Sequence, residues 1–260
     1  PDLARLRQIG KEGVLALIVE CTNIGRKGRC PSERVARDLV RDTLTSYEDD
    51  KNAIVVSTFS SHIARIKTLA ECAHEIGRKP VLLGRSMEKY AVAADQMKLV
   101  SFPETTSVFG NRRTIDRTLR RIMKGGKDKF LPIVTGHQGE PGSILTRIAT
   151  GDTPYVFTPG DKVVFSANII PTPMNFGQRY LVETRMKMAG VRIFDDLHVS
   201  GHAYREDHYE LVSLLAPRHI VPAHGSMSMT AEYAQFAGEL GYTIQSTVHV
   251  LRNGQRLKLE

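Results

Sequence analysis

Histidines stand at His198 and His202, on either side of Ser200 and Gly201, and another follows at His224 before Gly225. Imidazoles on Gly-flanked turns build either a metal site or an acid/base site. Spacing alone does not separate these, and paired loop histidines also occur with neither role. Far away in the chain, Glu20 closes the apolar run Val14–Val19. A carboxylate there needs a partner or a functional rim, or else it is a helix cap or a solvated strand end. Two stretches rich in glycine and hydroxyls, Thr58–Ser61 and Thr135–Gly142, lie where a strand gives way to a helix. Free backbone N–H groups at such places suit an anion. Neither stretch matches a P-loop or a dinucleotide fingerprint, so each also reads as an ordinary turn.

The elements that carry these residues follow from periodicity. From Leu197 to Ser228 the pattern predicts loop, helix and strand. The helix places Leu211, Val212 and Leu215 on one face and breaks at Pro217; the strand is Ile220-Val221. Such a unit returns His202 and His224 to one rim. His208, on the apolar face, reads as packing. Val14–Val19 predicts a fully buried strand. A helix from Ser32 to about Tyr47 has Val35, Leu39 and Leu44 as its apolar stripe, followed by a charged turn at Glu48–Lys51. Strand-like runs at Ala53–Ser57, Pro80–Leu83, Leu131–Val134 and Val163–Ala167 alternate with helices. That alternation predicts an α/β fold with an open, mainly parallel sheet covered on both faces. Arg112–Lys124 is two-sided, with Ile115, Leu119, Ile122 and Met123 inward and Arg113, Arg117, Arg120 and Lys124 outward. The basic face either tracks a phosphate backbone or is simply solvated. Further on come a helix at Arg179–Ala189, a strand at Val191–Phe194, a helix at Ala231–Leu240 and a terminal hairpin turning at Asn253-Gly254.

Composition narrows the partners. The chain has 260 residues, 41% of them hydrophobic, enough for one or two domains. Lys and Arg number 36 against 28 Asp and Glu, for a net charge of +8. That excess favours an anionic partner, nucleic acid before membrane. There is no apolar run of about 18 residues and no signal-peptide pattern. Three cysteines (Cys21, Cys30, Cys72) without a CxxC read as reduced thiols in a cytoplasmic protein.

Four stretches, in order, resemble the β-CASP branch of the metallo-β-lactamase fold, most closely the archaeal type of the ribonuclease J family. They are Glu20-Cys-Thr-Asn23, Thr135-Gly-His-Gln-Gly-Glu-Pro141, His198-Val-Ser-Gly-His-Ala203 and Pro222-Ala-His-Gly225. The resemblance implies a β-CASP domain with a Rossmann-like parallel sheet, residues 28–196, inserted in an αββα metallo-β-lactamase domain. Residues 1–27 and 197–260 would be the C-terminal part of that domain. It implies hydrolysis of RNA phosphodiester bonds by a hydroxide held between two zinc ions. Degradation would run from a 5′ monophosphate end, with some endonuclease activity.

By the same resemblance, Glu20 and His202 are the catalytic pair and His224 is a metal ligand. Ser60, Ser61, Arg65, Gly136, His137 and Gln138 would bind terminal or bridging phosphates. His198, Ser200 and Gly201 would lie near the scissile phosphate. A histidine held by a glutamate is a good proton donor to a leaving 3′ oxygen, and a hydrogen bond within about 3 Å is expected between the two. The Ser60-Ser61 and Gly136–Gln138 loops are expected to converge on a phosphate pocket.

The chain departs from the family's pattern in one respect: the HxHxDH loop, a further histidine and a GDF-type aspartate are not in it. One histidine cannot hold a dinuclear zinc site. Most Zn2+ ligands are therefore expected outside this chain, in an N-terminal half of the lactamase domain, and the chain alone is expected to be inactive. Expected partners are single-stranded RNA with a 5′ monophosphate end, that missing half, and a second copy in a homodimer, with no membrane. The competing readings are an RNA-binding module without catalysis and a lactamase-fold hydrolase of thioesters or lactams; net charge speaks against the last.

Overall fold

Short unbroken apolar runs, joined by amphipathic helices, build the larger sheet of this chain. In order, the elements are α1 (Leu3–Glu12), β1 (Ala16–Glu20), α2 (Glu33–Thr45), β2 (Ile54–Ser57), α3 (Ile63–Glu75), β3 (Lys79–Leu83), α4 (Arg85–Gln96), β4 (Ser107–Phe109) and α5 (Arg112–Gly125). There follow β5 (Phe130–Val134), α6 (Ile144–Ala149), β6 (Lys162–Phe165), α7 (Pro173–Met188), β7 (Arg192–Phe194), α8 (Arg205–Leu215), β8 (His219–Ala223) and α9 (Met227–Glu239). The structure, a computed structural model, describes residues 2–47 and 50–259. It has two units: Pro1–Pro31 with Ser200–Glu260, and Ser32–Val199.

In the Ser32–Val199 unit six strands pair, all in parallel, in the order β4-β3-β5-β2-β6-β7. Successive side chains leave a strand on opposite faces. Val55, Val81, Leu83, Val163 and Phe165 therefore meet α5, α6 and α7, while Ile54, Val56, Leu82 and Val164 meet α2, α3 and α4. From β2 the chain runs through α3 to β3; from its neighbour β5 it runs through α6 to β6, on the opposite face and in the opposite direction. This reversal is where open α/β sheets leave a crevice at the carboxyl ends of their strands.

Three details differ from expectation here. The buried row of α2 is Ala36, Val40 and Leu44, whereas Val35 and Leu39 are 45% and 41% exposed. The small Ala36 lets the helix pack one residue round from the predicted stripe. Helix α7 begins at Pro173, well before Arg179, because Thr172 caps it and proline suits a first turn. Strand β4 is a half-buried edge strand too short to show a period. The predicted turn at Glu48–Lys51 falls partly on residues 48 and 49, outside the described residues.

In the other unit, β1 and β8 pair in parallel with Glu20 opposite Ala223. Their core gathers Val19, Cys21 and Ile24 with Val212, Ile220, Tyr233, Phe236 and Val248. Strand β1 is not fully buried as predicted. Val19 is inside, but Ile18 is 73% exposed, because a two-stranded sheet covers only one face. The terminal hairpin is also absent among the described residues. Val248 instead bridges to Ile220 of β8, which offers it an open edge.

Candidate active site

The register of β1 on β8 brings Glu20 beside the turn that carries His224. The Glu20 carboxylate is held by two backbone groups. Oε2 accepts from the Thr22 N–H at 2.8 Å and Oε1 from the Ala203 N–H at 3.0 Å, which ties it to the His202 loop. His202 Nδ1 lies 3.4 Å from Oε2, a looser contact than the hydrogen bond expected, because both oxygens already accept from the backbone. The loop itself is set by Ser200, whose Oγ accepts from the His202 N–H at 3.1 Å and from Asn23 Nδ2 at 2.9 Å.

His224 takes a left-handed backbone, φ 52°, and its carbonyl accepts from the Thr22 hydroxyl at 3.1 Å. A Cβ on Gly225 would stand 2.5 Å from Cys21 Sγ, so only glycine lets the turn come this close. The result is a stacked pair of imidazoles, His202 on His224, with centroids 5.5 Å apart and planes at 25°. Gly201 faces open space.

Burial works against the charge on Glu20. The Thr22 N–H and hydroxyl, with His202 and His208 nearby, nevertheless hold its carboxyl below the usual value. The carboxylate is thus ionised at neutral pH, as a base that orients a histidine must be. His208, read from the sequence as packing, is buried as expected and also approaches Glu20. It is 1% exposed, with Nε2 3.6 Å from Glu20 Oε1 and Nδ1 3.5 Å from the Tyr233 hydroxyl. Burial lowers its pKa, with Glu20 pulling the other way. A histidine on an apolar helix face was the available signal; its partner was not legible.

A second cluster forms in the Ser32–Val199 unit, at the carboxyl ends of β2 and β5. The Phe59 ring packs on His137 at 4.0 Å and on His198 at 5.9 Å. Burial, then Arg179, pushes His137 down to about 4; burial, then Arg65, does the same to His198. Both rings are neutral at pH 7, and among the described residues neither nitrogen of His137 has a hydrogen-bond partner. Ser60 is half-buried and Ser61 exposed at the start of α3.

Gly139 sits against α7, where an added Cβ would fall 2.5 Å from the Gln178 carbonyl carbon, with φ at 76°. Gln138 clamps the same loop, donating to the Asn168 carbonyl at 3.0 Å and accepting from the Ile170 N–H at 2.8 Å. Arg179, missed as a site residue, is buried and donates to the His137 carbonyl at 2.6 Å and to Asp195 at 2.7 Å. Gly136 leads into this turn at φ 119°.

Arg65 is turned inward. Its side chain is 0% exposed and donates to both Glu33 oxygens at 2.6 and 2.7 Å, to Ser166 Oγ at 2.6 Å and to the Leu197 carbonyl at 3.1 Å. It braces the floor of the cluster, with its guanidinium buried away from solvent. Arg65→Ala leaves those acceptors unpaired and lowers stability by roughly 2–3 kcal/mol, since Glu33 is partly solvated. Urea denaturation reads this. An unchanged midpoint with altered RNA binding would instead put Arg65 on the substrate.

Among the described residues no three His, Cys, Asp or Glu side chains come together as a metal ion requires. His224 offers one imidazole; these residues alone do not fit a dinuclear centre. No helix among them is long and apolar enough to cross a membrane.

Residues 51–179 match the family model described as "Ribonuclease J, beta-CASP domain", and residues 190–248 the "Zn-dependent metallo-hydrolase RNA specificity domain". The chain is 49% identical to ribonuclease J of Methanocaldococcus jannaschii over 260 residues and 43% identical to that of Pyrococcus abyssi over 259. Both alignments cover 100% of this chain, which spans 58% and 57% of the length of these relatives. Ribonuclease J of Sinorhizobium meliloti is 33% identical over 99% of the chain and 43% of its own length.

Proposed function

The chain belongs to the ribonuclease J family, and on that premise we propose that it carries the proton-donating part of a metal-dependent ribonuclease. The enzyme shortens single-stranded RNA from a 5′ monophosphate end and has some endonuclease activity. One observation carries the reading: Glu20, His202 and His224 meet at the paired ends of β1 and β8. Glu20 faces Nδ1 of His202 and orients the ring; in the imidazolium, with both nitrogens protonated, the Nε2–H gives its proton to the leaving 3′ oxygen. Ser200 sets the loop that presents the ring. His208 supports the carboxylate from behind.

His224 is the ligand this chain offers to Zn2+, two ions per complete active site. The remaining ligands lie in the part of the relatives' length that this chain does not span. We assign residues 28–196 to the β-CASP domain and residues 1–27 with 197–260 to the lactamase domain. The enzyme works as a homodimer in the cytoplasm.

The Ser60 and Ser61 hydroxyls and the Gly136–Gln138 turn, with His198 beside Phe59, form the pocket for the 5′ phosphate. Its place at the sheet's reversal point supports this. The test compares 5′-monophosphate with 5′-hydroxyl RNA of one sequence. The unaltered enzyme prefers the monophosphate, and Ser61→Ala weakens that preference without unfolding, since the side chain is exposed. Equal rates on both ends in the unaltered enzyme would sink the pocket.

A further inference from the structure

Helix α5 has a charge distribution that its own stability does not explain. It carries Arg112, Arg113, Arg117, Arg120, Arg121 and Lys124, all exposed, against the single acid Asp116. Asp116 is turned to Arg147 at 3.2 Å, Arg112 pairs with Asp152, and Arg121 lies over the Phe130 ring. Among the described residues, Arg113, Arg117, Arg120 and Lys124 have no ion-pair or side-chain hydrogen-bond partner. Like charges at i,i+3 and i,i+4 each destabilise a helix by about 0.2–0.5 kcal/mol. Cations in a first turn also oppose the helix dipole, and α5 has no acid there. The arrangement is unfavourable until an anion covers it.

The row has the form of a polyanion track. At 1.5 Å rise per residue, positions 113, 117, 120 and 124 step along the axis by about 6, 4.5 and 6 Å. That is comparable with successive phosphates on an extended strand. The apolar side of the helix (Ile115, Leu119, Ile122) is buried against the sheet, so it is not free to enter a membrane. No exposed apolar residue of α5 offers the centre of a protein interface. At the N-terminal end the row runs into an open depression of about 510 Å³ lined by Arg85, Ser86, Arg112 and Ser143.

We propose that the exposed face of α5 is a second RNA-binding surface, holding the sugar-phosphate backbone of the substrate strand beyond the nucleotides at the reacting end. This rests on the ribonuclease reading. The test uses the full-length protein with Arg113, Arg117, Arg120 and Lys124 all changed to Gln, and a control with the three arginines changed to Lys. Fluorescence anisotropy follows a long uridine oligomer through a salt series, and hydrolysis of a tetranucleotide is measured alongside.

Four lost phosphate contacts weaken long-RNA binding roughly 10²-fold at 0.15 M salt and flatten the salt slope by about 3. Tetranucleotide turnover stays unchanged, and the Lys control keeps its affinity. Unchanged affinity and slope in the Gln variant overturn the proposal while leaving the ribonuclease reading intact. Polyglutamate bound through these residues, with RNA affinity unchanged, assigns the surface to an acidic protein and overturns it too. An unaltered protein that neither binds nor cleaves RNA removes both readings.

Discussion

His202→Ala in the full-length protein lowers RNA hydrolysis by roughly 10²–10⁴-fold and leaves RNA affinity nearly as it was. The His202 side chain is 41% exposed and packs into no core cluster, so its removal does not threaten the fold. What is lost is the group that protonates the leaving oxygen. Glu20→Gln has a smaller effect. It keeps the shape and an acceptor for the Thr22 or Ala203 N–H but removes the charge that orients the imidazole. Single-turnover rates at saturating enzyme check both, with anisotropy for affinity. A His202→Ala protein that cleaves normally excludes this residue as the donor.

The loss expected when residues 1–260 are produced alone is complete rather than graded. They bind little zinc and cleave no RNA, because the described residues bring no three ligands together. Ile18, on the uncovered face of β1, is 73% exposed and leaves apolar surface that favours aggregation. Producing the polypeptide at the full length of its relatives restores metal and activity together. Metal content by mass spectrometry and RNA cleavage on the same samples decide the matter. Zinc-loaded, active protein from these 260 residues would contradict it.

The sheet was legible because its strands are buried on both faces and read as unbroken apolar runs. β2, β3, β5 and β6 each lie within a residue or two of the predicted runs. Helix faces were less so. On α2 the choice between the Val35-Leu39 row and the Ala36-Val40 row depends on how closely the sheet approaches, which sequence does not record. The tail misled because a hairpin pattern is local, whereas Val248 found its partner in distant Ile220.

At the site, the loop, helix and strand pattern brought His202 and His224 to one rim, and only the resemblance to the family joined Glu20 to them. Arg65 looked like a phosphate ligand because a cation beside a serine-rich turn has that form. Only the fold shows its side chain buried against Glu33, Ser166 and Leu197. Phe59 and Arg179 escaped notice, and His208 read only as packing, because buried aromatic or charged groups declare their partners only in three dimensions.

His202, held by Glu20, is proposed to protonate the departing 3′ oxygen. RNA in which that bridging oxygen is replaced by sulfur tests it most directly, since a thiolate leaves without a proton. The rates of unaltered and His202→Ala full-length protein on the oxygen and sulfur substrates give the answer. The expected deficit of the variant is roughly 10²-fold or more on the oxygen substrate and all but disappears on the sulfur one. An equal deficit on both would mean that His202 serves some step other than proton donation.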